Sequence, residues 1–368
     1  MPSPRRSRAT AWPAALLVVL SLVLVLAIAT GAPSTASAAP MVKGLQDTRL
    51  VLSDDAADRR LFWRKAKSAR VGRVRVLQSW DGVARQIDQW EAVRIRRAAE
   101  EAADADIHLV VGIYAAVNRG RAVPRRITKT LISRFSDFTA SMGAAFRDAD
   151  LAGYLTWNEP NFKSMWPQDQ PRTWVKMSNA AYRSFKRTDP GTKVYVGEPA
   201  PNARTRNAVD PGLFFRRALC LDSKYRSLNR SKSCRTKLLG DGFAIHTHDF
   251  FQSPTKRRPS SDAWTMGNLT TTMRQIRALA RAGRITRKAS RNVHITEFSY
   301  RTHGSARTPD ARAARWLRQA WNFAKREGVA SLTWYQLQDP GVREEWRSGM
   351  ITASGRELRT WKTFRSLR

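Results

Sequence analysis

The chain has 368 residues, of which 42% are apolar, and carries 65 Lys and Arg against 30 Asp and Glu for a formal net charge of +35. Its length and apolar content exclude an intrinsically disordered tail and suit one large domain or two ordinary ones. Two cysteines exclude a disulfide-framework miniprotein, and the basic residues run along the whole chain instead of forming a nucleic-acid-binding tail.

Arg5, Arg6 and Arg8 precede an apolar run over 14–29 and the small residues Ala36-Ser37-Ala38, the layout of a secretory signal peptide cut near Ala38. The expected division is therefore a leader over 1–38 and one domain over 39–368. Secretion to the extracellular side follows, with membrane contact only through the leader and a monomer beyond it.

From residue 41 onward, short β-rich runs alternate with longer stretches that have apolar residues at helical spacing. Strands are predicted over 41–46, 73–78, 107–114, 153–157, 193–197, 242–247, 292–298 and 331–336. The clearest helical patterns cover 127–147, 171–187, 269–282 and 309–326, with a final helix over 355–367. An open doubly wound sheet shares this alternation, but no Gly-rich phosphate loop follows the first strand. Eight βα units point to a single (β/α)8 TIM barrel in the α/β class.

Chemistry in such a barrel gathers at the C-terminal ends of the strands. The fourth strand ends in Trp157-Asn158-Glu159-Pro160-Asn161 and the seventh in Ile295-Thr296-Glu297-Phe298. Two carboxylates at one mouth suit glycosidic bond cleavage, in which one must deliver a proton to the leaving oxygen while the other attacks the anomeric carbon as an anion. A lone Glu at a strand end ordinarily caps a helix or pairs with an Arg; two in these settings favour catalysis. Glu198, ending the fifth strand, is a third carboxylate, a candidate ligand for sugar hydroxyls and the reserve for either catalytic Glu.

The Asn-Glu-Pro motif and the second Glu resemble those of the clan A TIM-barrel retaining glycoside hydrolases, the cellulase-like enzymes of the family 5 and family 39 type. The resemblance covers nearly all of 41–368. It implies Glu159 as acid/base, Glu297 as nucleophile and Asn158 as a donor to the sugar 2-hydroxyl. Arg75, in the second strand, is similar to the clan arginine that lies against the nucleophile. His246-Thr247-His248 is similar to the clan His-x-Tyr segment, with His248 in the place of Tyr. Trp334 resembles the tryptophan beneath the sugar, and Trp80 is a second strand-end candidate, whereas Trp157 and Trp166 read as packing.

His246 and His248 share a strand face, but no third ligand is evident, so neither metal nor cofactor is expected. Cys220 and Cys234, in an exported chain, are expected to bridge the polar segment 221–233, a closure worth ~3 kcal/mol. The partner expected is a β-linked oligo- or polysaccharide, with the positive charge pointing to an acidic or cell-envelope glycan and to no specific nucleic acid. The alternative reading is a catalytically inactive carbohydrate-binding, or polyanion-binding, protein on the same barrel.

Overall fold

The structure, a computed structural model, describes residues 40–115, 126–202, 207–228, 232–341 and 346–368. The expected leader, 1–38, lies outside them. Among the described residues no helix is long and apolar enough to cross a membrane.

Eight strands, Val42–Gln46 (β1), Arg73–Trp80 (β2), His108–Ala115 (β3), Gly153–Leu155 (β4), Val194–Gly197 (β5), Gly242–His246 (β6), Val293–Phe298 (β7) and Ser331–Tyr335 (β8), form a closed barrel in sequence order. Every neighbouring pair is parallel, and β8 returns to pair with β1. The helices are Thr48–Val51 (α1), Ala56–Ser68 (α2), Gln89–Asp104 (α3), Lys129–Phe146 (α4), Pro171–Thr188 (α5), Pro211–Ala218 (α6), Leu269–Arg281 (α7), Arg287–Arg291 (α8), Asp310–Arg326 (α9) and Arg359–Ser366 (α10). This is the predicted TIM barrel.

Local sequence accounts for the helices. In α5 a proline at the first turn starts the helix, and Trp174, Val175, Met177, Ser178, Ala181, Ser184 and Phe185 bury one stripe at three-to-four spacing. The last helix starts at Arg359, later than the predicted 355. Gly355, at φ +87°, holds the preceding turn, and Asp310 accepts hydrogen bonds from the backbone N–H of Arg359 and Thr360, capping the helix from another element.

The main apolar core lies between the strands and the helical ring. Inside the barrel sits a separate small cluster of Val110, Leu155, Tyr195 and Ala244. A polar group shares this interior: Arg73 donates to His294 Nδ1 at 2.7 Å, His294 also meets Ser331 Oγ at 2.8 Å, and the Tyr195 ring packs edge-on against it at 4.7 Å. Burial, reinforced by the Arg73 charge, holds the His294 pKa well below its ordinary value, so His294 is a neutral acceptor.

Cys220 and Cys234 are bonded, with Cα atoms 5.2 Å apart. Replacing both with Ala is expected to lower unfolding free energy by about 2–4 kcal/mol, read as a lower denaturant midpoint. An unchanged midpoint would show that the bridge contributes nothing.

Candidate active site

The site begins with a buried guanidinium. Arg75 points into the barrel from β2 and is 1% exposed. Its Nη1 donates to Glu297 Oε1 at 2.5 Å and to Gln46 Oε1 at 2.6 Å, while Nη2 donates to Asn158 Oδ1 at 2.9 Å. Nη2 also lies 2.8 Å from Glu198 Oε1. That last contact is a charge pair without hydrogen-bond alignment, and both Glu198 oxygens lack an aligned donor. Burial disfavours the Arg75 charge, but Glu198 and Glu297 outweigh it and raise the pKa.

His246 stands between the acids. Its Nδ1 is 3.0 Å from Glu159 Oε1 and 3.6 Å from Glu297 Oε2, and its Nε2 is 3.5 Å from Glu198 Oε1. Burial alone would lower its pKa, yet the Glu297 charge and the contacts with Glu159 and Glu198 push it up to about 10. His248 Nε2 meets Glu297 Oε2 at 3.3 Å. Burial favours protonation of Glu297, but the charges of His246 and Arg75 and the hydrogen bond from His248 hold its carboxyl far below the ordinary range. The same two cations hold Glu198 below its ordinary value, again against burial.

The backbone at the strand ends is bent to deliver these groups. Glu159 and Glu198 have φ of +46° and +51°, a region costly for side chains other than Gly and often found at functional sites. The Glu159 N–H donates to the Glu198 carbonyl at 2.9 Å and the Glu198 N–H to the Ala244 carbonyl at 2.8 Å, so the two bends support one another. Gly197, at φ +116°, admits the second bend, since a Cβ there would strike the Ala244 carbonyl. Asn161 clasps the loops after β4 and β5, its side chain bonding both the N–H and the carbonyl of Ala200 and the carbonyl of Val209.

Glu159, Glu297, Asn158, Arg75, His246 and His248 therefore meet at the C-terminal end of the barrel. An arginine can only donate, so its bond to Asn158 Oδ1 leaves the amide NH2 as the free end of that side chain. Three other candidates occupy different ground. Glu198 is 1% exposed beneath Arg75 and His246, where a sugar hydroxyl does not reach it. Trp80 and Trp334 are each 1% exposed and face the helices. Trp80 packs on Phe135, Phe138 and Trp157 and donates its indole N–H to the Ala84 carbonyl. Trp334 packs on Phe298 and Tyr300 and donates to the Ser348 carbonyl. Trp80 is closed to a ligand, and Trp334 lines a cavity with Tyr300, Arg301 and Asp339 that none of Glu159, Glu198 and Glu297 borders.

The aromatic surface near the carboxylates comes instead from residues that sequence reasoning passed over. Trp346, 36% exposed in the loop after β8, lies 5.8 Å from the His248 ring, 4.9 Å from Phe250 and 6.5 Å from Tyr335. Gln46 was also missed, although a polar residue ending the apolar β1 run was a usable signal. Trp346 follows no periodic pattern.

His246, His248 and Glu297 present ligand atoms within 4.8 Å of one another, the one such trio among the described residues. The third ligand not evident in the sequence is thus Glu297. The donor set does not suit a metal: both His246 nitrogens face carboxylates, and Arg75 already supplies the cation beside Glu297.

No protein-family model and no curated protein matches the chain. Solved structures do share its fold. A family 39 glycoside hydrolase from the gut symbiont Bacteroides cellulosilyticus WH2 superposes with a TM-score of 0.64 at 15% identity, over 89% of this chain and 63% of that one. A GH5_18 protein from Streptomyces cattleya, solved in complex with GlcNAc, gives 0.62 at 15% identity over 90% and 80% of the two chains. XacCel5A, solved in complex with cellopentaose, gives 0.56 at 12% identity over 89% and 99%. The chain thus spans less than two thirds of the family 39 enzyme's length, and at these identities what it shares with all three is the barrel fold.

His246 binds its proton more tightly in the folded than in the unfolded chain. The stability it contributes is therefore complete below pH 6.5 and lost as pH rises through about 10. The melting-temperature advantage of the wild type over His246→Gln is expected to be greatest at the acidic end of that window and to shrink toward its alkaline end. A difference independent of pH would show that His246 is neutral.

Proposed function

We propose that this protein is a secreted retaining glycoside hydrolase that cleaves a β-linked oligo- or polysaccharide. The observation that carries this reading is the pair of carboxylates on either side of one imidazole nitrogen, Glu159 at 3.0 Å and Glu297 at 3.6 Å from His246 Nδ1. Oxygens that share one nitrogen at these distances are at most about 6.6 Å apart, which accommodates the separation of about 5–5.5 Å in retaining enzymes and reaches only the lower edge of the roughly 6.5–9.5 Å that inverting enzymes leave for a water.

The two acids differ in exposure and in their charged neighbours. Glu297 is held as an anion by Arg75 and His246, ready to attack the anomeric carbon. Glu159, with 21% of its side chain exposed, donates a proton to the departing glycosidic oxygen. The products of this half-reaction are a glycosyl ester on Glu297 and a free leaving group. Glu159, now an anion beside the charged His246, then takes a proton from an incoming water, whose oxygen displaces Glu297 from the anomeric carbon. The free amide of Asn158 faces the 2-hydroxyl. His248 supplies the orienting contact to Glu297, and Trp346 with Phe250 offers an apolar wall to a sugar face.

Both carboxylates and their charged partners are present, which favours an enzyme over an inactive binding protein. The formal charge, +35 for the whole chain and +32 once the leader with its three arginines is removed, favours an acidic or envelope glycan over a neutral one. Equal or better activity on neutral glucans would contradict that preference.

A panel of 2-deoxy-2-fluoro glycosyl fluorides is expected to add one glycosyl mass to the protein, mapped to the peptide containing Glu297. Glu159→Gln is expected to lower kcat by about 10²–10⁴-fold on substrates with poor leaving groups. A label on another residue, or full activity in Glu159→Gln, would overturn the assignment.

A further inference from the structure

Arg277 and Arg281 of α7 and Arg287 and Arg291 of α8 line one cavity of about 540 Å3. All four are exposed, and none has a side-chain hydrogen bond or ion pair among the described residues. Some surface arginines elsewhere are paired, Arg59 with Glu101, Arg226 with Asp222 and Arg258 with Asp249, while others, such as Arg60 and Arg64, have no partner among the described residues; these four are unpaired and share one cavity. The acid in the cavity, Glu327, accepts a hydrogen bond from Thr270 that leaves its charge in place, so a single carboxylate stands against four guanidiniums.

Fold stability does not explain this arrangement. Each helix contributes its pair at i and i+4, where like charges repel. Arg281 and Arg291 stand in last turns, where a cation suits the helix dipole. Arg287 is instead the first residue of α8, where a cation opposes it. Four guanidiniums held together against repulsion form a ready site for a chain of oxyanions, which they bind through paired N–H donors.

The cavity is lined by no aromatic residue, so it lacks the stacking platforms that hold single-stranded nucleic acid. It also opens away from the carboxylates. Asn292 alone separates α8 from the first residue of β7, and Gly328, in the cavity wall, precedes β8. The groove therefore lies at the N-terminal ends of the strands, whereas Glu159 and Glu297 lie at the C-terminal ends.

We propose that this groove docks an acidic polysaccharide on the face opposite the carboxylates, leaving the mouth of the barrel free. The surface stands apart from the hydrolytic reading and does not depend on it.

The test compares two full-length variants that lose the same charge. One carries Arg277→Gln, Arg281→Gln, Arg287→Gln and Arg291→Gln. The other carries Arg60→Gln, Arg64→Gln, Arg96→Gln and Arg315→Gln, at exposed positions elsewhere on the helical ring. Polygalacturonate is the probe, with affinity measured by calorimetry at two salt concentrations and folding checked by melting temperature. The groove variant is expected to lose about ten-fold or more in affinity and to show a shallower salt dependence, while the control stays near the wild type. Equal losses in both variants would reduce the effect to general charge attraction and overturn the proposal. So would wild-type protein that does not bind, or single-stranded DNA that binds as tightly and with the same dependence on the groove.

Discussion

A guanidinium removed from water at the mouth of the barrel is the constraint around which the site is arranged. A charge at that depth is tolerated only when paired and hydrogen-bonded. Arg75 meets this condition by drawing Gln46 from β1, Asn158 from the end of β4, Glu198 from the end of β5 and Glu297 from β7 toward one point. The strands could close with many side chains at these positions. Only a set of acceptors that neutralises Arg75 closes them without leaving a buried cation unmatched.

The second cation follows from the first. Three carboxylates converge where Arg75 offers a single positive charge, and the excess is met by protonated His246, which touches all three. Glu198 then has a clear role despite being closed to ligand: it supplies negative charge beneath both cations, so that neither depends on the exposed acid alone. Arg75, His246 and Glu198 form the fixed base on which Glu159 and Glu297 differ in exposure and in charge environment.

Much of this was legible in the sequence because strands buried on both faces read as continuous apolar runs, and the runs of β4, β6 and β7 ended in or just before residues that now form the site. The conspicuous Asn-Glu-Pro motif and the second Glu lay at such ends. The tryptophans misled for a reason of geometry. Side chains alternate along a strand, so Arg75 and Trp80, five residues apart on β2, face opposite ways, and an inward Arg75 excludes an inward Trp80. Strand β8 obeys the same alternation, with Trp334 turned to the helices. The role of Glu198 was hidden because a strand-end carboxylate looks the same whether it faces a ligand or a buried arginine. The start of α10 was set by Asp310, a residue remote in sequence, and no local pattern announces such a cap.

With the strand tryptophans turned outward, the aromatic surface beside the carboxylates is borrowed from connecting segments: Phe250 after β6 and Trp346 after β8. The clustered charges at the strand ends and the aromatic surface beside them are thereby carried on different kinds of backbone. Segments of the second kind tolerate exchange and changes of length. The aromatic surface is consequently separable from the charged base: exchanging these two loops would alter what the barrel mouth can contact while the charge arrangement around Arg75 remained intact.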